Sequence, residues 1–184
     1  AYFLYKLGLS PNAVTFLFCL TGLSAAFAFS IQSLISGYLL WRLHIILDMA
    51  DGDIARATKQ YSTSAVGFDK VNHILINLGV IFSLSYISNV NLLQIYLLCA
   101  SFLIAYLFDR LYLQGKRKSV RDLSGPKILI RNILGFEGFL ICFILIFIFQ
   151  IHHSLPLLFS IYSLSFLAMF FLKLVLWQKN NENI

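Results

Sequence analysis

Apolar residues occur along this chain in long runs, not in the short alternating stripes of a soluble fold. We identify six runs, each about as long as the 17 to 25 residues that a helix needs to cross roughly 30 Å of hydrocarbon. They cover residues 12–30, 32–56, 67–87, 92–112, 136–151 and 155–177. The pattern predicts an all-α polytopic membrane protein with six transmembrane helices.

The polar segments between the runs are short, with one exception. The long connection reads QGKRKSVRDLSGPKILIRN and separates the fourth run from the fifth. We find no internal repeat and no sign of a second domain, which predicts a single six-helix domain over residues 1–184. In the segment LSPN before the first run, Ser10 can cap a helix and Pro11 can occupy its first turn. Lys6 is the sole basic flank, so we interpret the first run as a span and not as a secretory signal.

The composition of the chain excludes a soluble globular domain. The chain is 59% hydrophobic and 12% charged, and its mean hydropathy is +0.82. Both values lie far outside the range of soluble domains. Cys19, Cys99 and Cys142 lie in separate apolar runs without paired spacing. They indicate packing thiols and not a disulfide framework.

The basic residues predict which side of the membrane each loop faces. With six spans, all of the fourteen Lys and Arg residues except Arg42 fall on one side, and the loops on the other side have none. The positive-inside rule then places both termini and the charged end of the second run in the cytoplasm. The net charge of +6 indicates contact with anionic membrane lipid. We expect no nucleic-acid binding, because the chain has no soluble basic domain.

Several carboxylates lie at the ends of the second and third runs, where each costs at least ~2.5 kcal/mol near the membrane interior unless it has a partner or a polar cavity. On a helix, Asp48 and Asp51 share one face, and Asp53 is rotated to the opposite side. Asp69 and His73 are four residues apart and share a face of the next helix. If the two faces meet, three carboxylates and one imidazole converge on one spot.

Such a cluster suits a hard divalent cation, because carboxylate oxygens select Mg²⁺, Ca²⁺ or Mn²⁺ over softer metals. Gly52 leaves bare backbone next to the carboxylates, and Arg56 offers a guanidinium that fits phosphate oxygens. A metal, bare backbone and an arginine together predict a diphosphate site.

These residues also resemble a family signature. DMADGDIAR followed by FDKVNH is similar to the motif D-x2-D-G-x2-A-R-x8-G-x3-D-x3-D of the CDP-alcohol phosphotransferases, which commonly have six spans. The opening PNAVT resembles the Pro-Asn-x-x-Thr start of the first span in many members. The positions that match the motif are Asp48, Asp51, Gly52, Ala55, Arg56 and Asp69.

The resemblance implies a reaction and a role for each matching residue. The reaction is transfer of a substituted phosphate from a CDP-linked donor to an alcohol acceptor, with release of CMP, as in phospholipid synthesis. CDP-diacylglycerol is the expected donor, and a homodimer is expected. Asp48, Asp51 and Asp69 are implied to hold a pair of divalent ions, Mg²⁺ or Mn²⁺. The residues implied to contact the cytidine diphosphate are Gly52, Ala55 and Arg56.

Two positions depart from the motif. The motif glycine falls on Ala65, with a glycine displaced to Gly67, and the last aspartate falls on His73. As a general base, imidazole is effective because free imidazole titrates near neutral pH. As a ligand it is neutral and softer, and it favours Mn²⁺ or Zn²⁺ over Mg²⁺. His73 therefore indicates an altered base, an altered ligand, an inactive homologue or a packing residue.

Further charged residues are candidates for the rest of the site. Arg110 and Arg131 flank the long basic connection and could line an acceptor pocket, although the connection also suits attachment to anionic lipid. Glu137 is another candidate, and His44 shares the face of Asp48 as a supporting or packing residue. The alternative to an enzyme is a transporter or an inactive scaffold with a metal site. A transporter needs ionisable groups toward both faces, whereas the acids here cluster at one end.

Overall fold

The computed structural model describes the backbone of residues 1–59, 63–88, 90–112 and 133–181. The side chains of these residues are described except those of 63–67, 110–112, 176 and 179–181. Within this part of the chain all regular structure is helical, and no strand occurs. The prediction of an all-α protein is confirmed at this level.

A helix occupies each of the six predicted positions. A short helix α1 (Tyr2–Lys6) precedes them, and a single 3₁₀ turn (His152–Ser154) precedes the last. The helices are α2 (Pro11–Ser30), α3 (Leu34–Thr58), α4 (Thr63–Ser88), α5 (Leu92–Tyr112), α6 (Phe136–Ile148) and α7 (Leu155–Asn181).

Four stretches in the described residues are long and apolar enough to cross a membrane. They are 11–30, 68–88, 92–109 and 152–175, which correspond to α2, most of α4, most of α5, and α7 with the turn before it. The chain is therefore a membrane protein with several apolar helices of spanning length.

The helices α3 and α6 are not among these four, for different reasons. The helix α3 contains Arg42 and the acidic residues of the candidate site, which interrupt its apolar stretch. The helix α6 has 13 residues, so it is only about 20 Å long, compared with roughly 30 Å of hydrocarbon. Six spans with cytoplasmic termini stay a prediction.

The chain divides into two compact units, residues 1–87 and 88–184. In the first unit, α2 and α3 form a closely packed pair joined by a short turn at Gln32, which has a left-handed φ of 63°. Ser10 caps α2 as predicted, since its hydroxyl accepts a hydrogen bond of 3.3 Å from the backbone N–H of Ala13. The core of this unit contains Val14, Phe18, Leu47, Ala50, Ile54 and Ile76.

The helices α2 and α4 are in close contact at Gly22. A Cβ atom at Gly22 would meet Cδ1 of Ile76 and would lie 2.9 Å from its Cγ1. One turn further on, Gly79 lies against Ala26, and an added Cβ there would make an ordinary contact of 3.5 Å. Small residues on α2 thus allow α4 to pack closely. Because His73 is one turn before Ile76, this packing positions the part of α4 that contains His73.

In the second unit α5 packs against α7, and α6 contacts α7 through aromatic rings in edge-to-face arrangement. Phe139, Phe143 and Phe159 are fully buried there. At the end of α5, the carboxylate of Asp109 forms an ion pair of 2.9 Å with the ammonium of Lys173 on α7. The prediction that residues 1–184 form a single domain applies to the two units together, and it stays a prediction.

Candidate metal centre

Three side chains from two helices converge at one point of the first unit. Asp48 comes from α3, and Asp69 and His73 come from α4 one turn apart. One ligand atom of each lies within 4.8 Å of the others. The Nε2 atom of His73 is 3.1 Å from Oδ1 of Asp48 and 3.4 Å from Oδ1 of Asp69. The structure therefore brings together three of the four side chains whose convergence the spacing predicts.

Two of the atoms that face each other in this triad are not satisfied by hydrogen bonds. Within the described part of the chain, Nε2 of His73 and Oδ1 of Asp69 are both buried, and the contacts of Nε2 with the two carboxylates are ion-pair contacts without hydrogen-bond geometry. Most buried polar atoms in proteins have a partner, and leaving one without costs about 1–3 kcal/mol. A divalent cation between the three side chains would satisfy both atoms. The donor set of two carboxylates and one imidazole thus fits a metal ion.

The imidazole of His73 is held by aromatic neighbours. Its ring stacks on Phe18 with a centroid distance of 5.9 Å and meets the edge of His44 at 5.5 Å. The side chain retains only 13% of its exposure. These contacts restrict the ring so that Nε2 stays directed at the carboxylates, as metal ligands require.

His44 packs against the imidazole of His73. It is 1% exposed, and its Nδ1 lies 3.0 Å from the backbone carbonyl of Phe18. A carbonyl can only accept a hydrogen bond, so Nδ1 of His44 has the proton and donates it. Phe18 therefore orients both imidazoles, one through its ring and the other through its backbone oxygen. The sequence places His44 on the face of Asp48 but contains no signal for the role of Phe18.

Asp51 follows Asp48 on α3 but does not belong to the triad in the structure. Its carboxylate accepts a hydrogen bond from the hydroxyl of Thr15 on α2. The same hydroxyl lies 3.0 Å from the carbonyl of Pro11, an ordinary contact for a threonine within a helix. The only signal for Thr15 in the sequence is its place at the end of PNAVT.

Arg56 lies over the backbone of Gly52. A Cβ atom at Gly52 would be 3.4 Å from Nη1 of Arg56, an ordinary contact, so packing does not require a glycine there. Nη2 of Arg56 donates to Asp53 at 2.6 Å, and both side chains are more than half exposed. Asp53 thus pairs with Arg56 on an exposed part of α3. Ala55 is half-buried on α3, one turn beyond Asp51.

The remaining predicted site residues are described only in part. The side chains of Ala65, Gly67, Arg110 and Arg131 lie outside the described residues. Arg42 is half-buried on α3. Glu137 belongs to the second unit, in the first turn of α6.

Comparison with known proteins identifies no relative. No family model matches the chain, and neither a curated protein nor a solved structure does.

Proposed function

We propose that this chain is a membrane enzyme that transfers a substituted phosphate from a CDP-linked donor to an alcohol and releases CMP. The observation behind the proposal is the convergence of Asp48, Asp69 and His73 from two helices. They come from the two ends of a motif that resembles the CDP-alcohol phosphotransferase signature. The proposed donor is CDP-diacylglycerol, and the proposed acceptor is a small polar alcohol.

In this proposal Asp48, Asp69 and His73 hold a divalent ion, and Asp51 contributes to a second ion beside it. Bound ions supply positive charge that stabilises the phosphoryl and leaving oxygens during transfer. The hydroxyl of Thr15 orients the carboxylate of Asp51. The Asp48 and Asp69 side chains each retain 28% of their exposure, so a ligand can approach them from outside the protein.

Arg56 and Gly52 are proposed to bind the diphosphate of the donor. The ion pair between Arg56 and Asp53 is exposed, so breaking it costs only about 0.2–1 kcal/mol. A guanidinium can instead make two parallel, charge-assisted bonds to a phosphate. Since packing does not require Gly52, its missing side chain is better explained by a ligand that approaches the backbone.

The proposed step is a displacement at phosphorus. The acceptor hydroxyl oxygen forms a bond to the phosphorus that bears the alcohol of the donor. The bond from this phosphorus to the bridging oxygen breaks, and CMP leaves with that oxygen and the electron pair. The hydroxyl proton passes to the protein, and the two candidate acceptors are His73 and the carboxylate of Asp69.

A second candidate function is a homologue that binds a metal ion but transfers nothing. The observation that favours it is His73 itself, since the imidazole replaces the aspartate that the motif has at this position. Imidazole has one free lone pair in its neutral form, whereas a carboxylate can bind a metal through one oxygen and accept a proton on the other.

Direct assay of the purified protein tests the proposal. The protein is incubated with labelled CDP-diacylglycerol, a panel of small alcohols, and Mg²⁺ or Mn²⁺, and products are analysed by lipid mass spectrometry. We expect one CMP for each new phospholipid, and we expect Asp48→Asn to lower the rate by roughly 100-fold or more. A parallel arm uses soluble CDP-alcohols with a lipid acceptor. Absence of CMP in both arms with either ion would rule the enzyme out.

The matched control removes one negative charge from the same helix outside the triad. Asp53→Asn is made for this purpose, and the readout is thermal stabilisation of the protein by Mn²⁺. We expect the stabilisation to be lost in Asp48→Asn and retained in Asp53→Asn. Equal loss in both variants would mean that general negative charge on α3, and not the triad, attracts the ion.

A further inference from the structure

His73 gives the triad a nitrogen donor in addition to its two carboxylates. We propose that His73 binds the metal ion through Nε2 and makes this a site for a first-row transition ion, such as Zn²⁺ or Mn²⁺, in preference to Mg²⁺. This inference rests on the proposed function, because it concerns the same metal site. It assigns His73 as a ligand and not as the general base.

The geometry favours a ligand over a base. Nε2 of His73 lies 3.1 Å and 3.4 Å from oxygens of Asp48 and Asp69, and these ion-pair contacts lack hydrogen-bond geometry. A general base must instead direct its lone pair at the acceptor hydroxyl. Because Phe18 and His44 hold the ring, turning Nε2 away from the carboxylates would disrupt their packing. The carboxylate of Asp69 then accepts the proton.

The chemistry of the donor set points to the same class of ion. Mg²⁺ requires near-ideal octahedral oxygen coordination and keeps several waters. Imidazole nitrogen instead suits Zn²⁺ and related ions, and Mn²⁺ accepts both donor types. Three protein ligands with a further position for water or substrate are typical of catalytic zinc sites. Replacing a carboxylate by a neutral imidazole also removes one negative charge, which weakens binding of hard cations more than of softer ones.

Titration with Co²⁺ tests this assignment without reference to activity. The untagged full chain in detergent is titrated with Co²⁺, and visible absorption reports nitrogen coordination and geometry. Zn²⁺ and Mg²⁺ are then used as competitors. We expect the absorption spectrum of bound Co²⁺ to change in the variant His73→Asp. We also expect the ratio of Co²⁺ affinity to Mg²⁺ affinity to fall by roughly tenfold or more in this variant. His73→Asn, which offers no imidazole nitrogen, is expected to weaken Co²⁺ binding and serves if His73→Asp does not fold.

The control is His153→Asp, the same substitution at an exposed histidine of the second unit. We expect it to leave the spectrum and the affinity ratio unchanged. An unchanged ratio in both His73 variants would overturn the inference. Measuring CMP release on the same preparations separates the two proposals. If CMP is released but the ion preference does not depend on His73, only the ligand assignment is rejected. If the ion preference depends on His73 but no CMP is released, only the transferase is rejected.

Discussion

At the level of single residues, the site contains some contacts that sequence spacing predicts and others that sequence spacing cannot predict. The pairs Asp48–Asp51 and Asp69–His73 follow from helical periodicity, because residues three or four apart share a face. Thr15 and Phe18 come from a different helix, and their contacts depend on how α2 is rotated against α3 and α4. A single sequence contains no direct record of that rotation.

Substitution of Thr15 tests whether its contact with Asp51 contributes to metal binding. We expect Thr15→Val to lower Mn²⁺ affinity by about 10–100-fold, because the hydroxyl that orients the Asp51 carboxylate is lost while the shape is kept. Thr15→Ser keeps the hydroxyl and should retain most of the affinity. Calorimetric titration of both variants measures the effect. Equal Mn²⁺ binding by Thr15→Val and the unchanged protein would show that Asp51 needs no such support.

At the level of the helices, the lengths of the apolar runs predicted the helix positions well. The residue at which each helix ends, and whether the helix is able to span the membrane, depend on individual residues. The helix α6 stops at Ile148 and not at residue 151 as predicted, because Phe149 and Gln150 turn the chain and Gln150 adopts a left-handed φ of 56°. The small residues Gly22 and Ala26 form a face of α2 that contacts α4. The partner of that face, Ile76, could not be identified from the sequence, because several helices present apolar side chains.

Two glycines allow a matched test of this packing. An alanine methyl at Gly22 would overlap the buried side chain of Ile76, and we expect Gly22→Ala to lower the free energy of unfolding by about 1–3 kcal/mol. Gly79→Ala adds the same methyl where there is room. It should be neutral or stabilise by up to about 1 kcal/mol through helix propensity.

Thermal unfolding in detergent, with and without Mn²⁺, measures both glycine variants. Since His73 lies one turn before Ile76, Gly22→Ala should also reduce stabilisation by the ion. If Gly22→Ala is as stable as Gly79→Ala, the close approach of α2 and α4 does not hold in solution.

At the scale of the whole molecule, the distribution of charge predicts the orientation of the chain in the membrane. Every Lys and Arg except Arg42 falls on one side of a six-span arrangement, which predicts a site that opens to the cytoplasm. The helix α3 has 25 residues, so it is about 38 Å long, and by length alone it is sufficient to cross the hydrocarbon. We predict that it spans the membrane although its charged second half interrupts the apolar stretch. Ser33 and Lys59, at its two ends, should therefore face opposite sides of the membrane.

Labelling with a membrane-impermeant maleimide tests this orientation. In a variant without Cys19, Cys99 and Cys142, we expect Lys59→Cys to react from the cytoplasmic side and Ser33→Cys from the other side. Protein in sealed vesicles of both orientations provides the comparison. Reaction of both cysteines from the same side would mean that α3 does not span and that the positive-inside assignment is wrong.

The most direct measurement of the central claim is CMP release by the purified protein and by Asp69→Ala, with and without a divalent ion. Asp69, like Asp48, both contacts His73 and matches the motif. We predict ion-dependent CMP release that Asp69→Ala abolishes. Ion-independent release, or release that persists unchanged in Asp69→Ala, would contradict the proposed metal-dependent transferase.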